Sequence, residues 1–200
     1  MKSIATIKIK IPKKEFLIDI IKEYSKCIQY ISNKGFNSKT HNRYKLHHLV
    51  YYDCRKKFNL PSQFIINAIR VASQALKSTK KNKRSKPIFK EFMPLDFDKR
   101  TFTFSFDKVR ISTLNGRKDI PIDIPEYYWK YLDWNYQTMQ IRVDKLNRMF
   151  LHITLSRDIA IPQSSDGLLG IDVVINNIAV TSNKQFFNSK HTKYIKSKYK

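Results

Sequence analysis

Hydrophobic residues recur along this chain with two different periods, and the switch between them outlines the elements. Over residues 4–11 the pattern alternates, with Ile7, Ile9 and Ile11 on one face and Lys8 and Lys10 on the other. Successive strand side chains point to opposite faces, so this stretch predicts a half-buried β-strand with a basic outer surface. Pro12 closes it and the period lengthens. Leu17, Ile21, Tyr24, Ile28 and Ile31 form one stripe of an amphipathic helix, and Asn33-Lys34-Gly35 is its expected stop. A second helix is expected over residues 42–58, with Leu46, Leu49, Val50 and Cys54 inward. Asn59-Leu60-Pro61 interrupts the chain and Ser62 is the expected N-cap of a third helix. Ile65, Ile66, Ile69, Ala72 and Leu76 are its buried stripe.

After Pro94 the alternation returns. Residues 101–106 put three phenylalanines on one face, which reads as the core side of a sheet, although such rows can also stack bases. Val109 and Ile111 continue to an Asn115-Gly116 hairpin signal, and Ile120, Ile122 and Ile124 alternate on the return strand. An aromatic segment over residues 126–134 precedes two further strands, one carrying Met139, Ile141 and Val143 and one over residues 149–155, joined by a turn around Asn147. Residues 159–167, with Pro162, Ser164 and Ser165, read as a linker. Beyond it two apolar runs flank Asn176-Asn177, the pattern of another hairpin, and Asp172 stands in the first run between Ile171 and Val173. A carboxylate in an apolar strand is costly unless a metal ion or hydrogen-bond donors compensate. The alternative is an aspartate on the solvent side of the strand.

Charge narrows the partner. The 200 residues carry 39 Lys+Arg against 16 Asp+Glu, a net charge of +23, the electrostatic footprint of a polyanion binder. Hydrophobic content of 42% with 13% aromatics implies a real core rather than a disordered chain. Residues 77–90 hold Lys77, Lys80, Lys81, Lys83, Arg84, Lys86 and Lys90 and no acid, which reads as a loop that docks on phosphate. The stretch after Lys184 is likewise free of acids. Cys27 and Cys54 sit on separate predicted helices, and neither belongs to a CxxC pair, so no zinc site is expected within the chain. His41, His47 and His48 lack the spacing for a shared helical face and suggest no metal. The low cysteine count, and the lack of any signal-type or membrane-spanning apolar run, lead to the expectation of a cytoplasmic protein without a membrane partner.

Several stretches resemble one family. Gly170-Ile171-Asp172-Val173-Val174-Ile175-Asn176-Asn177 looks like the first RuvC motif of the TnpB (OrfB) family of transposon-encoded RNA-guided nucleases. Leu60-Pro61-Ser62-Gln63 with Asn67-Ala68-Ile69-Arg70 resembles that family's recognition region. Asp107-Lys108-Val109-Arg110 with Gly116-Arg117-Lys118 resembles its wedge domain. Val174 stands where the family usually has Gly.

The resemblance implies an α+β chain. Residues 1–12 and 95–158 would form a discontinuous, OB-like β-barrel of wedge type, residues 13–94 an inserted helical bundle, and residues 159–200 a linker and the first hairpin of an RNase H-like (RuvC) domain. It implies guide RNA and DNA as partners, contacted by Lys8, Lys10, the cations of residues 77–90, Arg110, Arg117 and Lys118. It also makes Asp172 the first of three catalytic, metal-binding carboxylates, with Mg²⁺ or Mn²⁺ as the ion and the other two acids expected downstream of Lys200. Two functions are then expected: the front part of an RNA-guided DNA endonuclease, unable to cut DNA by itself, or a non-catalytic basic binder derived from one. A ribosomal-type basic protein would leave the Asp172 hairpin unexplained.

Overall fold

The computed structural model describes residues 1–81, 85–160, 169–173 and 177–198. It is an α+β structure with antiparallel sheets, and it divides into a unit of Lys2–Ile159 and a unit that contains Ala160–Lys200.

The first unit is built on a four-stranded sheet of β1 (Lys2–Ile11), β2 (Leu95–Asp98), β6 (Asn135–Val143) and β7 (Met149–Asp158), in the order β1-β7-β6-β2. The N-terminal strand thus completes a sheet whose other strands lie at least 80 residues away; β1 pairs with β7 from Lys2↔Asp158 to Ile11↔Met149. Alternation does what the sequence pattern predicts. Ile7, Ile9, Ile11, Met149, Leu151, Ile153, Leu155, Met139, Ile141, Leu95 and Phe97 are all buried on the inner face. The turn from β6 to β7 holds Asn147 at φ 59°, a left-handed conformation that asparagine tolerates, and Asp144 accepts the Leu146 and Arg148 N–H groups.

A second sheet, β3 (Phe102–Phe104), β4 (Lys108–Thr113) and β5 (Gly116–Pro121), adds Phe102, Val109, Ile111 and Ile120 to the same core. Its hairpin lies one residue from the expected turn: Thr113 pairs with Gly116 around Leu114-Asn115, and Gly116 takes φ 89°. The phenylalanine row does not run evenly into the core, since Phe102 is buried but Phe106 is 60% exposed. Among the described residues no ladder joins the two sheets into a closed barrel.

Between β1 and β2 come three helices, α1 (Glu15–Asn37), α2 (Arg43–Lys57) and α3 (Ser62–Lys81). The predicted stripe of α1 is buried throughout. Its expected stop is not one: the helix runs on to Asn37, and Gly35 lies inside it. A Cβ there would meet Leu76 Cδ1 at 2.6 Å and Leu46 Cδ2 at 2.7 Å, so glycine serves close packing among the three helices. Asn42 caps α2 by accepting from the N–H groups of Tyr44 and Lys45. Leu49, expected inward, is 43% exposed. Ser62 lies within α3 rather than before it, where the Pro61 carbonyl accepts from Phe64 and Ile65. Cys27 and Cys54, on separate helices in sequence, are brought together in the core. They share a thiol hydrogen bond that, with burial, pushes the Cys27 thiol up.

The second unit holds β8 (Ile171–Asp172), β9 (Asn177–Thr181), β10 (Phe186–Asn188) and α4 (Lys190–Lys198). The strands form an antiparallel sheet in the order β10-β9-β8, with Ile171↔Thr181 and Asp172↔Val180 in register. The antiparallel pairing expected around Asp172 is therefore present, while Val174, Ile175 and Asn176, where its turn is expected, lie outside the described residues. The acid-free tail also folds into a strand and a helix.

Candidate nucleic-acid interface

The alternation that buries one face of the four-stranded sheet leaves a basic face on the other. Register carries Lys8 of β1 across to His152 of β7, then to Gln140 of β6 and Asp96 of β2. The next row runs Lys10, Phe150, Arg142. Phe150 is the outward residue between the buried Met149 and Leu151. The Lys8 ammonium sits 4.2 Å from its ring centroid; the Arg148 guanidinium carbon lies 5.7 Å away, with its charge matched by Asp144 Oδ2 at 2.7 Å.

A hydrogen-bonded chain fixes the far side of this face. Arg142 donates to Gln140 Oε1 from Nε at 3.0 Å and from Nη2 at 2.6 Å. Gln140 Nε2 in turn donates to Asp96 Oδ1 at 2.5 Å. The other Asp96 oxygen accepts from Arg70 Nη2 of α3 at 2.7 Å, and Asn67 Nδ2 donates to the Asp96 carbonyl at 3.1 Å. Asp96 is buried beside a cleft of about 300 Å³ lined by Arg43, Asn67, Arg70, Thr138 and Gln140. Because Arg142 gives its hydrogen bonds to a neutral amide, it keeps its charge for an outside partner. His152 lies within the same field; burial, then Arg142 and Lys8, hold its imidazole below the ordinary histidine range.

The other expected cations fare differently. Arg110 donates to Asp119 from Nε at 2.6 Å and from Nη2 at 3.1 Å, and Lys108 approaches the same carboxylate at 3.6 Å. Those bonds hold the Asp119 carboxyl below the usual range and offset the Arg110 charge. Arg117 donates to the Arg100 carbonyl at 2.8 Å, and Lys118 lies 4.6 Å over the Phe16 ring. Residues 77–90 are not one loop. Lys77, Lys80 and Lys81 belong to the last turns of α3, where Lys77 and Lys80 are exposed. Lys83 and Arg84 lie outside the described residues. Lys86 and Lys90 are exposed on a segment pinned to α1, where Gln29 Oε1 accepts the Phe89 N–H at 2.9 Å and Ser25 Oγ the Met93 N–H at 2.9 Å. Of the cations expected from sequence, Lys8 and Lys10 are thus the pair that joins an aromatic on one face. Arg142, Arg148, Phe150 and His152 were missed, because only the strand pairing brings them to the lysines. The one local signal was the outward parity of Arg142 among Met139, Ile141 and Val143.

Asp172 is exposed, the solvent-side alternative, so desolvation does not single it out. Its strand is held by the Ser182 N–H bonding to the Gly170 carbonyl at 2.8 Å and the Gly170 N–H bonding to Ser182 Oγ at 3.1 Å. Magnesium takes an octahedral set of oxygen ligands, and Asp172 supplies one carboxylate. Among the described residues no group of three or more His, Cys, Asp or Glu is placed to hold a metal ion, so these residues do not by themselves make the ion's site. No described helix is long and apolar enough to cross a membrane.

Compared with protein-family models and with curated proteins, the chain matches none of either.

Proposed function

We propose that this chain binds polynucleotide through the outer face of its four-stranded sheet, as the front part of a TnpB-like RNA-guided DNA endonuclease. The observation that carries the reading is Lys8, Lys10 and Arg142 gathered around Phe150, in a chain of net charge +23. Phosphate neutralisation by such side chains releases condensed counterions and makes binding steeply salt-dependent. In this reading the two sheets of the first unit belong to an OB-like wedge barrel and the helices to a recognition insert. The second unit is then the opening of an RNase H-like sheet. Its exposed Ile171, Val173, Ile178, Phe186 and Phe187 agree with a sheet that further elements would cover. Guide RNA and target DNA are the partners, in a cytoplasmic setting. Asp172 would hold Mg²⁺ or Mn²⁺ only together with two further acids; a complete site of this kind would hold two ions, one supplying activated water and one stabilisation of the leaving oxygen.

The test is fluorescence anisotropy with labelled RNA and DNA over a salt series. The triple variant Lys8→Gln/Lys10→Gln/Arg142→Gln should bind more weakly and show a shallower slope of log K against log salt, by roughly 2 to 3. An unchanged slope would refute the reading. A second reading, a non-catalytic binder derived from such a nuclease, is favoured by the exposure of Asp172 to solvent. Magnesium-dependent cleavage of single-stranded or guide-programmed DNA that disappears in Asp172→Ala would dispose of it.

A further inference from the structure

Resting on the reading above, we infer that the outer sheet face takes an unpaired strand, with one base stacked on Phe150 and the next on His152. Phe150 occupies an outward position where alternation calls for a polar residue, between inward Met149 and Leu151. The row Lys10–Phe150–Arg142 lies across three hydrogen-bonded strands, so a cation stands about one strand spacing, ~4.8 Å, on each side of the ring. A base on the ring would thus have a cation on either side for its flanking phosphates. His152 is two residues along the same strand and on the same face, roughly 6.8 Å further. Partial burial, then Arg142 and Lys8, holds its imidazole below the ordinary histidine range, and its ring is a second flat surface on the same face. Duplex DNA cannot use these rings, because its bases are already stacked and paired. Paired nucleic acid could reach only the cations.

The arrangement is also pre-set. Arg142 is held by Gln140, which is held by buried Asp96, which is anchored by Arg70 of α3. Among the described residues, the partner shown for the lysine over the Phe150 ring is that ring, and it swings to a phosphate when a base takes its place.

The experiment uses the full chain, 12-nucleotide single strands of RNA and DNA carrying 2-aminopurine, and duplexes of equal length. Phe150→Leu keeps an apolar side chain on the strand and removes the ring; thermal unfolding of this variant confirms that it folds. Single-strand affinity should fall by about 5- to 160-fold, the range that corresponds to loss of one stacked base. The salt slope and the duplex affinity should stay at wild-type values, and quenching of 2-aminopurine should diminish. Wild-type single-strand affinity in folded Phe150→Leu would overturn the stacking proposal. That failure is distinguishable from failure of the binding reading itself: if the triple charge variant still weakens binding, only stacking falls. If it does not, both fall. Equal loss of single-strand and duplex affinity in Phe150→Leu would also overturn the proposal, since it would mark a damaged surface rather than a lost stack.

Discussion

Helix α1 carries three buried hydroxyl residues whose removal should have opposite signs. Tyr24 is 0% exposed, and among the described residues its hydroxyl has no hydrogen-bond partner. Burial, reinforced by nearby Asp96, pushes its phenol far above the ordinary range, so it stays a donor with nothing to donate to. Ser32 is also 0% exposed, and its Oγ likewise has no partner among the described residues. Ser25, one residue after Tyr24, is the contrast: its Oγ donates to the Ile21 carbonyl at 2.8 Å and accepts the Met93 N–H at 2.9 Å. A buried polar group left unmatched costs about 1–3 kcal/mol, whereas replacing it by an apolar group of the same shape removes that penalty. Tyr24→Phe deletes one oxygen and leaves the ring packed. Allowing for the small void, it should stabilise the fold by about 1 kcal/mol, or roughly 2–4 °C in melting temperature for a domain of this size. Ser25→Ala orphans the Met93 N–H and frees the segment that ends the basic stretch. With about 0.5 kcal/mol returned through helix propensity, it should destabilise by about 1–2 kcal/mol. Urea unfolding followed by circular dichroism reads both, at unchanged m-value. If Tyr24→Phe unfolds at lower urea than the wild type, the hydroxyl has a partner and the reasoning is wrong.

Two further outcomes follow from a buried thiol pair and a half-buried imidazole. Cys27 and Cys54, both buried and hydrogen-bonded to one another, should react with Ellman's reagent only in denaturant, two thiols per chain; rapid reaction of the native protein would contradict their placement. His152 titrates below its unfolded value, about 6.5, so the unfolded chain takes up the proton first as pH falls. The stability it contributes is present above pH ~6.5 and lost as pH drops through the lower folded pKa; His152→Gln should flatten that part of the stability–pH curve. A curve of identical shape in the variant would show that the imidazole does not titrate as its surroundings require.

The features legible in the sequence were those with a short period. Ile7, Ile9 and Ile11, the stripe of α1, and the alternation of Met139, Ile141 and Val143 each declare which face is buried, because burial selects apolar residues at the spacing of the element. Local chemistry was nearly as informative: Asn147 marks its turn, and the two β-branched runs on either side of Asn176 pair as antiparallel strands. Gly35 misled, since a glycine that ends a helix and one that lets two leucines approach look alike until the neighbouring helices are in place. The basic stretch misled for a related reason, since nothing in a run of lysines announces that Gln29 and Ser25 will hold its far end.

By itself, then, the chain's order of residues determined the kinds of element, their inward faces and an overall cationic character, all of which depend on neighbours a few positions away. Tertiary structure alone decided that Lys8 and Lys10 meet Phe150 and His152, that Arg110 gives its charge to Asp119, and that Cys27 finds Cys54. Strand register and helix packing join residues up to more than a hundred positions apart. Which cation is matched and which left open to a partner is a property of those pairings, not of composition.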